Sequence, residues 1–231
     1  MLLIQEKCEK LIETFKTERS AEFWISKNGT INLGKDPEKP LFSYHSFYTP
    51  IKNDNLLPYL EQAYKLPFPQ QLLSFYSFSN GADLFTAKVM SLVVADYFAN
   101  PCLSIYGLSD RSPDGHPGDI RTEGLARGKK IPKEWLKCGH FSPLPFSDIY
   151  YDIFIDTTDE HIYMTKKRES VVIREFDSFD ECYCSLFDEL DQHDLSVIFP
   201  SPLLLQASQA ETESQKLKIL KKEVKKSLKR K

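Results

Sequence analysis

Asp177-Ser178-Phe179-Asp180-Glu181-Cys182-Tyr183-Cys184-Ser185-Leu186-Phe187-Asp188-Glu189-Leu190 is the stretch whose pattern decides the fold. Ser178 stands three residues before Glu181, the spacing of a capping box, in which hydroxyl and carboxylate each satisfy a backbone donor left orphaned at a helix start. Phe179, Cys182, Tyr183, Leu186, Phe187 and Leu190 then fall on one side of the helix, a continuous apolar stripe that has to be covered. Asp180, Glu181 and Asp188 are expected to face water. Cys182 belongs to the stripe, whereas Cys184, about 200° further around the axis, is expected on the exposed side.

Working upstream, Tyr150–Thr157, His161–Thr165 and Val171–Arg174 read as strands, the first two joined by the short turn Thr158-Asp159-Glu160 and hence antiparallel. Further out, Ile4, Cys8, Leu11, Ile12 and Phe15 predict a helix over 3–19. Phe23-Trp24-Ile25 and Thr30–Leu33 flank Asn28-Gly29, a pair that tolerates positive φ and so marks a hairpin. Gly34–Asn53, with Pro37, Pro40 and Pro50, reads as an irregular connection. Two helices follow, one with Leu56, Leu57, Leu60 and Tyr64 on its face. The other opens at Pro69, carries Leu72, Leu73, Phe75 and Tyr76, and stops at Asn80-Gly81. Leu84–Phe85, Met90–Ala95 and Cys102–Tyr106 are strand-like. Arg111–Asp119 is a loop, Ile120–Arg127 a short helix and Pro132–Leu136 a helical turn.

The fold class expected from this order is α+β: a single domain over 1–199 with a largely antiparallel central sheet and helices packed against it. A lysine-rich helical extension over 200–231 follows, with Leu217, Leu220, Val224 and Leu228 as a narrow apolar stripe. No repeat of 20–50 residues is visible.

Composition bounds the function. The 231 residues are 41% apolar and 27% charged, an ordinary globular balance. The apolar runs Ser91–Ala95 and Ser201–Leu205 fall far short of the roughly 20 residues a membrane helix needs. The N-terminus turns charged by its fifth or sixth residue, unlike a signal peptide. Five cysteines, an odd number, suit reduced thiols in the cytoplasm better than a disulfide framework. The net charge of −3 hides an asymmetry: residues 216–231 hold nine Lys/Arg and one acid, which leaves 21 basic and 32 acidic residues, or −11, in the remainder. No Lys or Arg occurs from Glu175 to Gln215, against ten carboxylates. Such a surface attracts basic partners and repels nucleic acid.

Signatures of chemistry are missing. Gly124-Leu125-Ala126-Arg127-Gly128-Lys129-Lys130 has three residues between its glycines and no Ser or Thr after the lysine, so it fails the phosphate-loop spacing. Cys182 and Cys184 cannot clasp one ion from a helix, and Cys138-Gly139-His140 has no second ligand pair at zinc-site spacing. No nucleophile elbow is present. No catalytic residue, metal ligand or cofactor is therefore assigned.

The order of motifs resembles the SUKH superfamily, named for fungal cell-wall-assembly regulators and abundant among bacterial immunity proteins. Leu66-Pro67, Phe75 and Asn80-Gly81-Ala82-Asp83-Leu84-Phe85 are similar to its Leu-Pro…Phe…Asn-Gly signature. Leu103-Ser104-Ile105-Tyr106-Gly107 resembles its following strand, and Pro132…Trp135-Leu136…Gly139 the segment before its central hairpin. Tyr151-Asp152…His161-Ile162-Tyr163 and Ser178-Phe179-Asp180-Glu181 resemble its hairpin and last helix. The likeness spans about residues 1–195, and the aromatic segment 34–53 and the basic tail depart from it. It implies a domain that binds another protein without catalysis. In the bacterial members this is typically neutralisation of a co-encoded toxin, often a nuclease. Nucleases are usually basic because they bind a polyanion, and an acidic inhibitor associates quickly with them.

The expectation is thus an immunity protein acting on a basic, nuclease-type toxin. The alternatives are an adaptor of the cell-wall-assembly type with a non-toxin partner, and an enzyme. Partner-binding candidates are Asp180, Glu181, Asp188, Glu189 and Asp191. Neither nucleic acid nor membrane insertion is expected of the tail, which lacks interleaved aromatics and carries only four apolar anchors. It is expected to be weakly held against the acidic body.

Overall fold

The computed structural model describes residues 1–34, 44–51, 65–90, 97–108, 121–122, 125–126, 129–145, 147–166, 171–192, 210 and 212–229. The chain opens with α1 (Leu3–Glu18), whose Ile4, Cys8, Ile12 and Phe15 are buried, the face its spacing predicts. The hairpin β1 (Phe23–Ile25) and β2 (Ile31–Leu33) follows, with Gly29 at φ +87° in its turn, a conformation glycine adopts without a Cβ clash. Next come β3 (Tyr44–Phe47), α2 (Gln70–Phe78), β4 (Ala82–Met90) and β5 (Tyr97–Ile105). The short strands β6 (Arg121–Thr122), β7 (Leu125–Ala126) and β8 (Lys129–Lys130) precede β9 (Trp135–Phe141), β10 (Tyr151–Asp156), β11 (Ile162–Lys166) and β12 (Val172–Phe176). The chain then forms α3 (Phe179–Asp191) and α4 (Glu213–Lys229).

The strands form one antiparallel sheet in the order β1-β2-β3-β4-β5-β9-β10-β11-β12, with β6 added on β9 and β7-β8 as a separate pair. This is the expected α+β class. One face of the sheet carries the core: Leu33, Phe47, Leu84, Leu103, Ile105, Phe141, Ile153 and Met164 cluster with Ile4 and Cys8 of α1, Phe75 of α2 and Phe179, Tyr183 and Leu186 of α3. Ring pairs tie the layers together, Phe75 with Phe179 at 5.8 Å and Phe85 with Phe187 at 5.1 Å.

The Asn80-Gly81 pair that ends α2 has a tertiary task as well. Asn80, fully buried, accepts the Leu108 N–H through Oδ1 at 2.8 Å and donates its amide to the Leu108 carbonyl at 3.1 Å. Gly81 sits at φ +91°, and a Cβ there would lie 2.7 Å from the Ile105 carbonyl oxygen. The helix end is thereby clamped to the end of β5.

Several expectations are corrected. The segment 34–53 is not irregular throughout, since Tyr44–Phe47 is β3, a central strand between β2 and β4. Ile120–Arg127 is not a helix: 121–122 and 125–126 are strands. The helical turn at 132–136 is a single turn, closed by Trp135 N–H to the Pro132 carbonyl, after which Trp135 begins β9. Cys184 is buried rather than exposed, because α1 covers that side of α3. The expected helix at 56–64, the strand residues 91–95 and the loop 111–119 lie outside the described residues. The tail helix is held by more than charge: Leu220 is 1% exposed within the main core, with Leu217 and Ile219 packed beside it. Its lysines Lys221 and Lys225 meet Asp148, at 2.5 and 3.2 Å, and among the described residues they pair with no carboxylate of the stretch 175–215. The hydrogen bond from Lys221 first, and from Lys225 with it, holds the Asp148 carboxyl below its usual range.

Candidate functional site

The five carboxylates singled out in the sequence all lie on α3, but they do different work. Asp180 is not a free surface group: its two oxygens accept the Leu3 and Ile4 N–H groups, both at 2.7 Å, and so cap α1 from a different helix. α1 has no side-chain cap of its own. Ser178 accepts the Glu181 N–H at 3.1 Å as predicted, while Glu181 reaches back to the Asp177 N–H at 2.8 Å, one residue before the cap. Asp188 pairs with Lys7 at 2.6 Å, and Glu189 with Arg174 at 3.0 Å. Asp191 is exposed.

Glu181, Asp188 and Asp191 are spaced to share one outward stripe of α3, and all three are exposed. Asp177, exposed in the turn into α3, leads into it, whereas Glu175, near the end of β12, is exposed on the sheet face opposite α3. Among the described residues no Lys or Arg lies within 4 Å of Glu175, Asp177, Glu181 or Asp191. Sequence reasoning missed Glu175 and Asp177, although the absence of any base after Arg174 already pointed to them.

On the sheet face opposite the helices lies a feature that no sequence signal predicted. The register places Asn32, Ser46, Asp83, Ser104, His140, Asp152 and Thr165 side by side on adjacent strands. All are buried, and cross-strand partners share a face. Ser46 donates to Asn32 at 2.9 Å. Tyr48 donates to Asp83 at 3.0 Å, and the Ser104 hydroxyl donates to the other Asp83 oxygen. His140 Nε2 lies 3.3 Å from Ser104 Oγ and 3.4 Å from the Pro101 carbonyl, and its ring stacks on Tyr150 at 4.6 Å. Lys137 pairs with Asp152 at 2.8 Å, both buried. Burial raises the Tyr150 phenol first of all, and Tyr106 adds to this.

Asp83, Ser104 and His140 are the residue types of a nucleophilic triad, but they are ordered differently. A triad puts histidine between carboxylate and hydroxyl, so that the imidazole removes the hydroxyl proton. Here the hydroxyl stands between, giving its proton to Asp83, and Ser104 is fully buried near the end of β5, within the sheet. The row acts instead on register: sliding one strand by a residue would swap its polar and apolar faces and strand these groups in the core, at a cost of about 1–3 kcal/mol for each unpaired one.

The thiols are equally unsuited to attack. All five cysteines are buried and unbridged, and burial raises each of them, Cys138 and Cys184 to about 12. A thiolate nucleophile needs the opposite shift. Among the described residues no group of His, Cys, Asp and Glu is arranged to hold a metal ion, and no helix is long and apolar enough to cross a membrane. A surface groove of about 710 Å³ runs along α4, lined by Leu217 and by Lys218, Lys221, Lys222, Lys225 and Lys226. Its like charges do not form a reaction centre.

Comparison with family models, with curated proteins and with solved structures finds no match to this chain.

Proposed function

We propose that this chain is a non-catalytic protein-binding domain whose partner is a basic protein, a cognate toxin of the nuclease type that it neutralises. The reading rests on the exposed carboxylates Glu175, on the open face of β12, and Asp177, Glu181 and Asp191, in the turn into α3 and along its outer side, with no Lys or Arg among the described residues within 4 Å. Among the described residues Asp83, Ser104 and His140 are buried and engaged with one another, and the five thiols are buried. Such a surface steers a basic partner into contact. The motif order shared with SUKH immunity proteins supports the toxin as that partner. Five unbridged thiols suit the reducing cytoplasm, where an immunity protein has to meet a toxin that reaches the cell interior.

The test is to purify the tagged chain from its native host, identify what is retained, and assay the retained protein on DNA and RNA. A basic protein whose nuclease activity falls to background at one equivalent of the chain is expected. Retention of acidic or neutral proteins only, or a nuclease unaffected by saturating chain, would overturn the proposal.

A further inference from the structure

The outer face of the sheet has an apolar cluster of its own at the β9–β12 end: Ile131, Trp135 and Phe154 are buried, with Tyr163 and Val172 packed against them. Trp135 and Tyr163 stack with centroids 4.4 Å apart and planes 11° from parallel. Trp135 is 8% exposed and Tyr163 is half-buried, so Tyr163 is the outer ring of the stack. Carboxylates rim it. Asp156 is registered opposite Trp135 and accepts its indole N–H at 3.2 Å, and Glu175 is registered opposite Tyr163. Asp159 stands in the turn between β10 and β11, with Oδ1 on the His161 N–H at 3.0 Å. Burial raises the Tyr163 phenol first, and Asp159, Asp156 and Glu175 raise it further. Asp159 and Glu175 are exposed, and among the described residues neither has a Lys or Arg within 4 Å. Val171, just before the adjoining edge strand, is 52% exposed and Ile173, within it, 38%, and β12 is the last strand in the sheet order.

A ring face offers negative electrostatic potential to a cation, and nearby carboxylates add charge. A guanidinium suits this setting better than an ammonium, because its plane lies flat on a ring while its edge donates to carboxylates on either side. We propose that Tyr163, flanked by Asp159 and Glu175, is the docking point for an arginine side chain of the basic partner, with Val171 and Ile173 taking up apolar neighbours of that arginine. This rests on the protein-binding reading above and names where on the chain the partner is anchored.

Of the two tryptophans in the chain, Trp24 is replaced by Phe, so that Trp135 reports alone. Acetyl-hexaarginine amide and acetyl-hexalysine amide are titrated at low salt while Trp135 emission is followed, with far-UV circular dichroism and melting temperature confirming that each variant is folded. A saturable response is expected, with the arginine peptide binding about 3–10-fold tighter than the lysine peptide. Asp159→Asn with Glu175→Gln should weaken the arginine peptide by about tenfold or more, and Tyr163→Leu should abolish the preference for arginine. Glu181→Gln with Asp191→Asn should change affinity by less than about twofold, since those groups lie on α3. Equal weakening by the two carboxylate pairs, or an unchanged preference in Tyr163→Leu, would overturn the site. The native partner separates this inference from the reading beneath it. A basic partner that binds Asp159→Asn/Glu175→Gln as tightly as the unmodified chain refutes the site alone. An intact peptide signature in a chain that retains no basic protein refutes the toxin reading alone.

Discussion

Asp180 offers a decisive separation of scaffold from binding surface. Its carboxylate makes two charge-assisted bonds of 2.7 Å to the first turn of α1, a 16-residue helix that has no other side-chain cap. Loss of a helix cap costs about 0.5–2 kcal/mol, and a hydrogen bond to a charged group contributes about 1.5–3 kcal/mol. The Leu3 bond is exposed and the Ile4 bond half-buried, so water recovers part of this, and alanine gains up to about 0.7 kcal/mol of propensity within α3. Asp180→Ala should therefore lose about 2 kcal/mol, and Asp180→Asn, which keeps one acceptor, about 1 kcal/mol. Urea unfolding gives the totals. Hydrogen exchange at Ile4 and the amides after it should show that α1 opens locally before the rest. A loss under about 0.5 kcal/mol, with Ile4 exchange unchanged, would refute the cap and return Asp180 to the list of partner contacts.

Phe179, fully buried between Phe75 and Tyr183, should cost about 3–5 kcal/mol on truncation to Ala, measured by the same unfolding experiment. His45, buried against Phe15 and Phe85, has its pKa pushed down to about 3 by burial and secondarily by Arg19. Its unfolded value is about 6.5, so its contribution is complete above that pH and is lost as pH falls from there towards 3, at about 1.4 kcal/mol per unit. Stability should fall by about 2 kcal/mol from this group between pH 6.5 and 5, and His45→Gln should flatten that part of the pH profile. For the tail, Leu220→Ala should lose about 2–3 kcal/mol independently of salt. Asp148→Asn, at the exposed lysine pairs, should lose less than about 1 kcal/mol and only at low salt. The reverse ranking in melting experiments would show the tail to be held by charge.

Elements with an unbroken period were legible from the residues alone. α1, the β1–β2 hairpin, β10 to β12 and α3 combine clear strand or helical patterning with a cap or turn, and the core faces expected of α1 and α3 are the ones observed. β3 was hidden because its four residues, Tyr44–Phe47, sit among prolines and aromatics with no turn signal to frame them. Cys184 was misplaced because a helical wheel shows the side facing the sheet, while a second helix, α1, covers another. Asp180 caps a helix 177 positions away, a link that no local pattern contains. The polar row fails for a related reason: Ser104 or Asp83, alternating with apolar neighbours, reads as the wet side of a strand. Only the register across seven strands reveals that both sides are buried. At the candidate surface, the charge imbalance was visible in the sequence, but its division into capping, paired and free carboxylates was not.

The most direct measurement is the association rate of the retained basic partner, by stopped flow from 25 to 500 mM NaCl, with the unmodified chain and with Glu175→Gln/Glu181→Gln/Asp191→Asn. Steering by these carboxylates predicts a rate that falls steeply with salt for the unmodified chain, and a low-salt rate reduced about tenfold or more, with a flatter slope, in the variant. Superimposable rates and slopes for the two proteins would contradict an acidic binding surface formed by β12 and α3.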